Sequence, residues 1–518
     1  MRSLLIALVL VLATTAGAAF AQSRDADTLV IAQGADATSL DPSSIGSIVA
    51  DNIAKHLWAS LLEITPDGEI VPYLAESFEV SDDGTEITFR LFEGLQCHDG
   101  EALTAEDVAY TFQRAADPAN AFTGNTPGFI FNSLGYVDAR VDDELTVTIL
   151  TDAYSSIAPG LIAEVRIHCK DSYEAMTLDE AALRPIGSGP YRFVEWVRDE
   201  RLVMERADTF DLREANFERL VWRVIPEAST RAAELIAGNV DIVDAIAPDQ
   251  IDAVNAGPVS RVLPVPGTTR VFLGFNMGEA FDGAEGGAQA IRDTAVRVAL
   301  QYAVDVPTIC RTLLATECDR ATGMVNPPNA HPTLEPYPFD PELAEQLLDE
   351  AGYPRGADGV RFSIDLEVPS GRAYTDTALV IGQYLSDIGV QTNVALQDFA
   401  TVFVPALIGK TAGPLFMIGS GGAIWSAQYD MADLRAPEGA TNYASWTNPD
   451  WFSGWDRLGQ TRDPAEQDAI VNEMLEVFYN DPPWLMLYFQ PLYYGASERI
   501  EWEPRRDARI IVGGARAR

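Results

Sequence analysis

Short segments of the chain alternate apolar and polar residues, which is the pattern of a strand with one buried face. Residues 87–91 (Ile-Thr-Phe-Arg-Leu) and 145–149 (Leu-Thr-Val-Thr-Ile) show this pattern. Residues 360–366 place Val, Phe, Ile and Leu at every second position. Each segment therefore predicts a half-buried strand.

Between these strands, apolar residues recur at helical spacing behind residues that typically begin a helix. Thr104 is followed by Asp107, and both side chains can accept from the free backbone N–H groups of a first turn. Asp340 and Asp463 each stand directly before a Pro, which favours an N-cap followed by a first turn. The alternation of strands and helices predicts an α/β protein with several sheets.

The N-terminus has the three parts of a secretory signal peptide. Arg2 supplies a positive start, residues 4–12 are apolar, and residues 19–21 (Ala-Phe-Ala) match the small-x-small pattern of a cleavage site. The apolar run is shorter than the roughly 20 residues of a membrane span. We predict cleavage after Ala21, export to the periplasm and a mature chain that is not membrane-embedded.

The mature chain is long and strongly acidic. After loss of the signal peptide roughly 500 residues remain, which is too many for one ordinary core and predicts two or three domains. Lys and Arg number 36 against 77 Asp and Glu, a formal net charge of −41. This balance argues against nucleic acid as a partner, because phosphate binding needs a basic surface. The Arg-rich tail, residues 505–518, is expected at the surface.

Four cysteines in an exported chain predict two disulfides. Three pairings are possible, and we favour Cys310 with Cys318, which are close in sequence, leaving Cys97 with Cys169. A zinc site is the alternative, because His98 and His168 each stand beside a cysteine. The spacing matches no known finger pattern, so no metal site is predicted.

No catalytic motif is complete. Residues 409–411 (Gly-Lys-Thr) resemble the end of a phosphate loop, but Pro405 stands where that motif needs Gly. Residues 187–189 (Gly-Ser-Gly) lack the spacing of a nucleophile elbow. We predict that the protein is not an enzyme and needs no cofactor.

Four segments, in order, resemble the family 5 extracellular solute-binding proteins of ABC transporters, the dipeptide/oligopeptide/nickel-binding type. The strongest begins with Val-Pro-Tyr-Leu-Ala-Glu-Ser-Phe at 71–78 and ends with Leu-Thr-Ala-Glu-Asp-Val at 103–108. Cys97 departs from the Phe usual in the family, which fits an added disulfide. The other three segments lie at 187–196, 274–305 and 344–354.

The resemblance implies a class II periplasmic binding protein fold, α/β and two-lobed, of the large type with an extra inserted subdomain and two crossovers at the hinge. Pro-rich breaks at 264–267 and 481–483 are where such crossovers could lie. The implied parts are lobe I (22–56, 185–268 and 484–518), its inserted subdomain (57–184) and lobe II (269–483).

The implied function is that of a monomeric receptor. It captures a peptide or other small organic solute by hinge closure and delivers it to an inner-membrane ABC permease. Two alternatives stay open: an exported hydrolase on the same scaffold, and a receptor for a metal chelate or haem.

The resemblance places residues 35–39, after the first strand, at the cleft. Asp36 and Thr38 are therefore candidate ligand-binding residues, although Asp36 could equally shape a turn. Asn276 either lines the cleft or bonds the crossover backbone. Arg372 could pair with a ligand carboxylate through two hydrogen bonds, or simply lie at the surface.

A Gly-rich run, residues 419–430, is the second candidate region. Glycine allows close backbone approach, and Trp425 offers a flat face to an organic ligand. In peptide-binding members of the family an Asp in this region pairs with the ligand's amino group, and Asp430 is the nearest match. The Asp-Pro pattern around that residue is missing here, which weakens the case for a peptide ligand.

Overall fold

The computed structural model describes residues 26–327, 329–370, 375–422 and 424–518. The predicted signal peptide lies outside the described residues. Within them, none of the helices combines the length and apolar composition that crossing a bilayer requires.

Strands and helices are mixed along the described chain, although some strands, such as β2 to β5, follow one another directly, and this confirms the α/β prediction. The strands are β1 Thr28–Gln33, β2 Leu62–Ile64, β3 Ile70–Pro72, β4 Ala75–Val80, β5 Glu86–Leu91, β6 Tyr136–Asp143, β7 Thr146–Thr151, β8 Tyr191–Val197, β9 Arg201–Arg206, β10 Arg219–Val224, β11 Ile242–Val243, β12 Ser260–Phe275, β13 Phe362–Pro369, β14 Val390–Gln397, β15 Leu415–Ser420, β16 Trp484–Ser497, β17 Ile500–Glu501 and β18 Arg516–Ala517. The predicted strands at 87–91, 145–149 and 360–366 are β5, β7 and β13.

The helices begin where the capping residues predicted. Thr104 forms a capping box with Asp107, and Asp340 and Asp463 are N-caps. The helices are α1 Ile48–Leu57, α2 Ala105–Ala116, α3 Phe131–Leu134, α4 Ala158–Ile162, α5 Lys170–Glu174, α6 Leu178–Leu183, α7 Ala228–Ile236, α8 Ile251–Asn255, α9 Gly287–Ala290, α10 Thr294–Tyr302, α11 Val306–Leu313, α12 Pro341–Glu350, α13 Thr375–Asp387, α14 Val404–Ile408, α15 Ala427–Met431, α16 Pro449–Gln460 and α17 Pro464–Asn480.

One ten-stranded sheet runs through both lobes in the order β14-β13-β15-β12-β16-β11-β1-β10-β9-β8. Its β1 half packs on a core that includes Leu29, Trp222 and Trp502. Its β13 half packs on two further cores that hold the helices of the second lobe. The sheet is thus continuous while the cores on its two halves are separate.

A second sheet, β4-β5-β7-β6, belongs to the inserted subdomain. Its core draws on buried residues between Ala59 and Cys169, with Ile424 of the second lobe also in contact. These residues fall within the segment 57–184, whose assignment as an inserted subdomain stays a prediction.

The crossover between the lobes is a pair of long antiparallel strands, β12 and β16. Their register runs from Ser260 opposite Ser497 to Pro266 opposite Pro491, breaks, and resumes with Arg270 opposite Phe489. The break leaves residues 267–269 outside the ladder, next to the predicted Pro-rich crossover at 264–267.

The second crossover lies later in the chain than the predicted break at 481–483. Trp484 and Tyr488 are buried in second-lobe cores, whereas Tyr494 is buried in the core beneath β1. The strand therefore changes lobe near Gln490, opposite the break in β12. Pro482 and Pro483 directly precede Trp484, so this Pro-rich break marks the start of β16.

The C-terminal tail is not the surface segment that its arginines suggested. Ile510 and Val512 are fully buried. The Ile510 N–H donates to Asn52 Oδ1 at 3.0 Å and the Val512 N–H donates to His56 Nε2 at 3.1 Å, which seats the tail against α1. Burial lowers the pKa of His56 to about 4, so the neutral ring accepts this bond.

Both predicted disulfides are present. Cys97 is bonded to Cys169 (Cα–Cα 6.1 Å) and Cys310 to Cys318 (Cα–Cα 5.8 Å). The zinc alternative is wrong, because the sulfurs bond each other. His98 Nε2 bonds the Gly189 carbonyl at 2.8 Å.

The two disulfides should differ in their contribution to stability. Cys97–Cys169 spans 72 residues and Cys310–Cys318 spans 8. Loop-closure entropy then predicts losses of about 4 and about 2.5 kcal/mol in the free energy of unfolding when each pair is changed to Ala. Urea unfolding of the two double variants measures this difference. Equal losses, or a larger loss for Cys310→Ala with Cys318→Ala, would contradict the loop-length argument.

Candidate functional site

A cavity of about 340 Å³ lies between the lobes and is called the central cavity here. Four parts of the chain meet around it: α1 with the loop before it, the inserted subdomain, the second lobe at the crossover, and the C-terminal tail. Its lining includes Ile45, Ile48, Asp51, Phe129, Leu161, Glu164, Arg166, Thr268, Thr269, Gly421, Gly422, Ile424, Tyr429, Asp507 and Arg509. Because both lobes line the cavity, a bound solute would contact both.

The polar floor of the central cavity is a network of buried charges. Arg509 Nε lies 2.7 Å from Asp51 Oδ2, and Arg509 Nη2 lies 2.7 Å from Glu164 Oε2. Arg166 Nη2 lies 3.1 Å from Asp51 Oδ1, and Lys55 Nζ lies 3.3 Å from Glu164 Oε1. Each carboxylate thus bridges two cations. We call Lys55, Arg166, Arg509, Asp51 and Glu164 the floor network.

Local structure positions each member of the floor network. Ser47 caps α1, so Asp51 lies in its first turn and Lys55 lies one turn later on the same face. Glu164 and Arg166 follow α4 directly. Arg509 arrives with the C-terminal tail, which the bonds to Asn52 and His56 hold against α1.

The network keeps its carboxylates ionised. Burial acts to raise the pKa of Asp51, but the charges of Arg509 and Arg166 outweigh it and hold that pKa well below its usual value. The pKa of Glu164 is lowered in the same way, with Arg509 the main opposing charge. Burial lowers the pKa of Lys55 to about 8, with the Arg166 charge adding to the effect. At neutral pH the floor therefore offers both signs of charge.

The walls of the central cavity are apolar and incompletely covered. Phe129 and Ile48 are 43% and 44% exposed, high for large apolar side chains. Phe129 meets Tyr429 of the second lobe edge to face, with ring centroids 6.0 Å apart. An apolar wall above a charged floor is the usual composition of a small-molecule site.

Asp36 and Thr38 do not line the central cavity. The Asp36 carboxylate accepts from Trp196 Nε1 at 3.1 Å and from the Asp199 N–H at 2.7 Å, so it ties its loop to the β8–β9 turn. Thr38 is exposed nearby. Their assignment to a ligand stays a prediction, and the structure gives Asp36 a turn-shaping role.

Asn276 is buried, and its side-chain amide forms hydrogen bonds with backbone groups. Its Nδ2 donates to the Ala412 carbonyl at 2.7 Å, and its Oδ1 accepts from the Gly278 N–H at 3.1 Å. Both bonds tie Asn276 to backbone outside the crossover, and its assignment to the cleft stays a prediction. Arg372 lies outside the described residues.

Asp430 is buried inside the second lobe. Its Oδ1 lies 3.0 Å from Arg270 Nη1, and its Oδ2 accepts from the Asn326 N–H at 2.9 Å. Burial raises the pKa of this carboxyl, and Arg270 opposes the rise. With these partners in place, the predicted contact to a ligand ammonium has no support in the described geometry and stays a prediction.

Trp425 lies at the lobe interface beside the central cavity. The Arg506 guanidinium carbon sits 4.9 Å from its ring centroid. Gly68, at φ +85°, packs so closely that a Cβ there would come within 2.7 Å of the indole. Trp425 also lines a separate interlobe cavity of about 400 Å³ with Ser156, Asn329 and Gln467. Of the predicted ligand residues, Trp425 alone among those described lines an interlobe cavity.

Sequence reasoning missed the floor network. Its members come from three distant segments, none of which carries a motif. The one available signal was the repeat of Arg505, Asp507 and Arg509 at every second position, which we assigned to the surface. Among the described residues, no cluster of three or more His, Cys, Asp or Glu side chains is arranged to hold a metal ion.

Comparisons with known proteins agree with this architecture. The glutathione-binding protein GsiB of Shigella dysenteriae serotype 1 is 26% identical over 510 residues, covering 96% of this chain and 95% of that protein. HbpA2 of Haemophilus parasuis superposes with a TM-score of 0.82 at 22% identity, covering 95% of this chain and 100% of that one. The periplasmic binding protein DppA of Helicobacter pylori, solved in complex with the peptide STSA, superposes with a TM-score of 0.76 at 20% identity, covering 94% of this chain and 96% of that one.

These likenesses define the class as a two-lobed periplasmic binding protein. The sequence profile of the bacterial extracellular solute-binding proteins, family 5 (middle region), matches residues 69–442. The chain belongs to this family, and it is a solute-binding protein of an ABC importer.

Removing one carboxylate from the floor network should destabilise the protein in a pH-dependent way. Asp51→Asn leaves Arg166 and Arg509 short of a partner and should lower the free energy of unfolding by about 3 kcal/mol at pH 7. Because the folded pKa of Asp51 lies below the unfolded value, its contribution is complete above about pH 4 and fades as pH falls through the folded pKa.

Urea unfolding at pH 7 and at pH 3.5 measures this effect. The deficit of Asp51→Asn should be smaller at the lower pH. The control is Asp82→Asn in an exposed turn, which should change stability by less than about 0.5 kcal/mol at either pH. A deficit that is independent of pH would contradict the ion-pair account.

Proposed function

We propose that this protein captures a small zwitterionic organic solute, of the size of a dipeptide or tripeptide, in the central cavity. The single observation that carries this proposal is that two lobes share one cavity with an apolar wall and a floor of both charges. A solute bearing an ammonium and a carboxylate finds an opposite charge for each group on that floor.

Size and relatives support a short peptide or peptide-like solute. The cavity volume of about 340 Å³ lies at the small end of the range of about 300–1,000 Å³ typical of small-molecule sites. The relative from Shigella dysenteriae binds glutathione and the one from Helicobacter pylori was solved with a peptide. From these relatives we infer only the class of solute for this protein, and not an individual ligand.

Capture proceeds by hinge closure. The unpaired residues 267–269 give the β12–β16 crossover a place to bend without breaking the ladders on either side. A solute that touches both lobes binds the closed form better than the open form, and so shifts the population toward closure. The lobes proposed are those of the sequence prediction, with the second crossover at Gln490.

Contacts between the second lobe and the inserted subdomain, away from the central cavity, stabilise the closed arrangement of the lobes. Arg462 of the second lobe lies over the ring of Tyr154 in the inserted subdomain, 3.6 Å from its centroid. Arg462 Nη2 also donates to the Asp83 carbonyl at 3.1 Å, and Gln467 Nε2 donates to the Tyr154 hydroxyl at 3.3 Å. We call Tyr154, Arg462 and Gln467 the interlobe latch.

The setting of this activity follows from the sequence. The chain is exported with cleavage after Ala21, acts as a monomer in the periplasm, and passes its solute to an inner-membrane permease that recognises the closed shape.

A titration series tests the central cavity. We expect glutathione or a member of a dipeptide and tripeptide panel to bind the mature chain with one-to-one stoichiometry by calorimetry. Phe129→Ala, which removes part of the cavity wall, should weaken that binding about tenfold. Phe339→Ala is the matched control, since Phe339 is equally exposed (44%) but is not among the residues lining the central cavity.

Two results would contradict the proposal. One is an absence of binding across the whole panel. The other is release of cleaved products from the bound solute by the wild-type protein, which would favour the exported hydrolase.

The interlobe latch should strengthen solute binding without touching the solute. Arg462→Ala removes a cation–π contact and a hydrogen bond present only when the lobes meet, so the dissociation constant should rise about fivefold. Arg457→Ala is the control, because Arg457 pairs with Glu473 inside the second lobe. If both variants bind as tightly as the wild type, the latch does not stabilise the solute-bound form.

A further inference from the structure

The first lobe contains a cavity of its own, apart from the interlobe cavities, and it is called the side cavity here. This side cavity has a volume of about 420 Å³ and lies where the inserted subdomain meets the C-terminal segment. Its lining includes Lys55, Trp58, Ser60, Glu63, Ile64, Pro66, Tyr73, Arg166, Arg213, Glu214, Trp502, Glu503, Arg505 and Ala515. No residue of the second lobe lines it, so it is not part of the interlobe cleft.

The body of the side cavity is apolar and aromatic. Trp58, Tyr73 and Trp502 are all nearly fully buried, at 1%, 8% and 6% exposed. Ile64 and Ala515 add aliphatic surface between them. Such walls favour a flat or apolar group over a purely hydrated ion.

The inner wall carries cations with unused hydrogen-bond donors. The Arg166 guanidinium is buried and shares its terminal nitrogens with Asp51 and the Ala163 carbonyl, while its Nε has no partner among the described residues. Lys55 Nζ donates to Glu164 only, at 3.3 Å, so further hydrogens on the ammonium have no protein acceptor among those residues. A buried donor without an acceptor is costly, and an anion would satisfy it.

The acids that line the side cavity are either paired with cations other than Lys55 and Arg166 or exposed to solvent. Glu63 accepts from Arg213 Nε at 2.9 Å, and Glu214 Oε2 lies 3.1 Å from Arg516 Nη2. Glu503 is exposed. Pro66 and Glu214 are exposed as well, so these three residues lie on the solvent side of the cavity. Lys55 and Arg166 lie at its interior end.

The central cavity and the side cavity are adjacent, and the charged residues between them present different side chains to each. Arg166 lines both of them. Asp51, Glu164 and Arg509 face the central cavity, and Lys55 and Arg505 face the side cavity. The floor network therefore presents both of its carboxylates, together with Arg166 and Arg509, to the central cavity, and only cations, Lys55 and Arg166, to the side cavity.

We propose that the side cavity is a second binding site, separate from the transported solute's site, for a small organic carboxylate with an aromatic or other apolar body. The carboxylate lies against Lys55 Nζ, and the apolar body lies between Trp58, Tyr73 and Trp502. The site opens on the surface of the first lobe and does not require the second lobe.

The test uses 4-bromobenzoate as the probe, with 4-bromobenzamide as its neutral isostere. Calorimetry on the mature wild-type chain should detect binding of the carboxylate and at least about tenfold weaker binding of the amide. Bromine anomalous scattering from a soaked crystal should place the probe in the side cavity. This arm needs no variant and so does not depend on a variant folding.

Variants then assign the carboxylate contact. Lys55→Met should weaken 4-bromobenzoate binding at least about tenfold while Glu164 keeps its contacts with Arg509 and Arg166. Lys170→Met is the matched control, since Lys170 pairs with Glu106 at the surface and should leave binding unchanged.

Three outcomes would overturn the proposal: no binding of 4-bromobenzoate in solution, equal binding of the amide, or bromine density confined to the central cavity. Binding that is insensitive to Lys55→Met would also overturn it.

Discussion

The pairing of β12 with β16 is the constraint on which the rest of this structure depends. Two long antiparallel strands carry the chain from one lobe to the other and are the central strands of a sheet shared by both. The ladder is regular from Ser260 to Pro266, is interrupted at residues 267–269, and shifts register once more between Val271 and Phe272 before it continues to Gly274, so the irregular joint between the lobes is short. Gly267 fits this joint because a Cβ would come within 2.3 Å of the Gln490 carbonyl.

The charges at the cleft depend on that geometry. Thr268 and Thr269 of the joint line the central cavity together with the floor network of the first lobe. The Thr268 N–H donates to the Arg506 carbonyl of the same C-terminal segment at 3.0 Å. The tail thus contacts the joint at Arg506 and the floor at Arg509, linking the bending region to the site that a solute would fill.

Much of the fold could be predicted because its signals are local. Alternation around β5, β7 and β13 and the caps at Thr104, Asp340 and Asp463 depend only on neighbouring residues. Family resemblance supplied the lobes and the insertion, which no local pattern could supply.

The candidate site could not be predicted in the same way. Asp51, Glu164 and Arg509 become a network only after three distant segments meet, and no spacing along the chain records that meeting. Asp430 shows the converse case. Its position in a Gly-rich run suggested a ligand contact, whereas Arg270 on β12 and Asn326 already occupy its carboxylate. Burial of the tail likewise depends on tertiary bonds to Asn52 and His56.

The most direct test of the account is the distance between the lobes in solution. All four native cysteines are in disulfides. Spin labels can therefore be attached at Glu79→Cys in β4 and Asp456→Cys in α16, both exposed sites. Pulsed electron–electron double resonance measures the distance between the two labels. The distance distribution should be broad or centred at a long distance without solute, and narrow and centred at a shorter distance when solute is saturating. A distribution that stays the same when a tightly bound solute is added would contradict hinge closure about the β12–β16 joint.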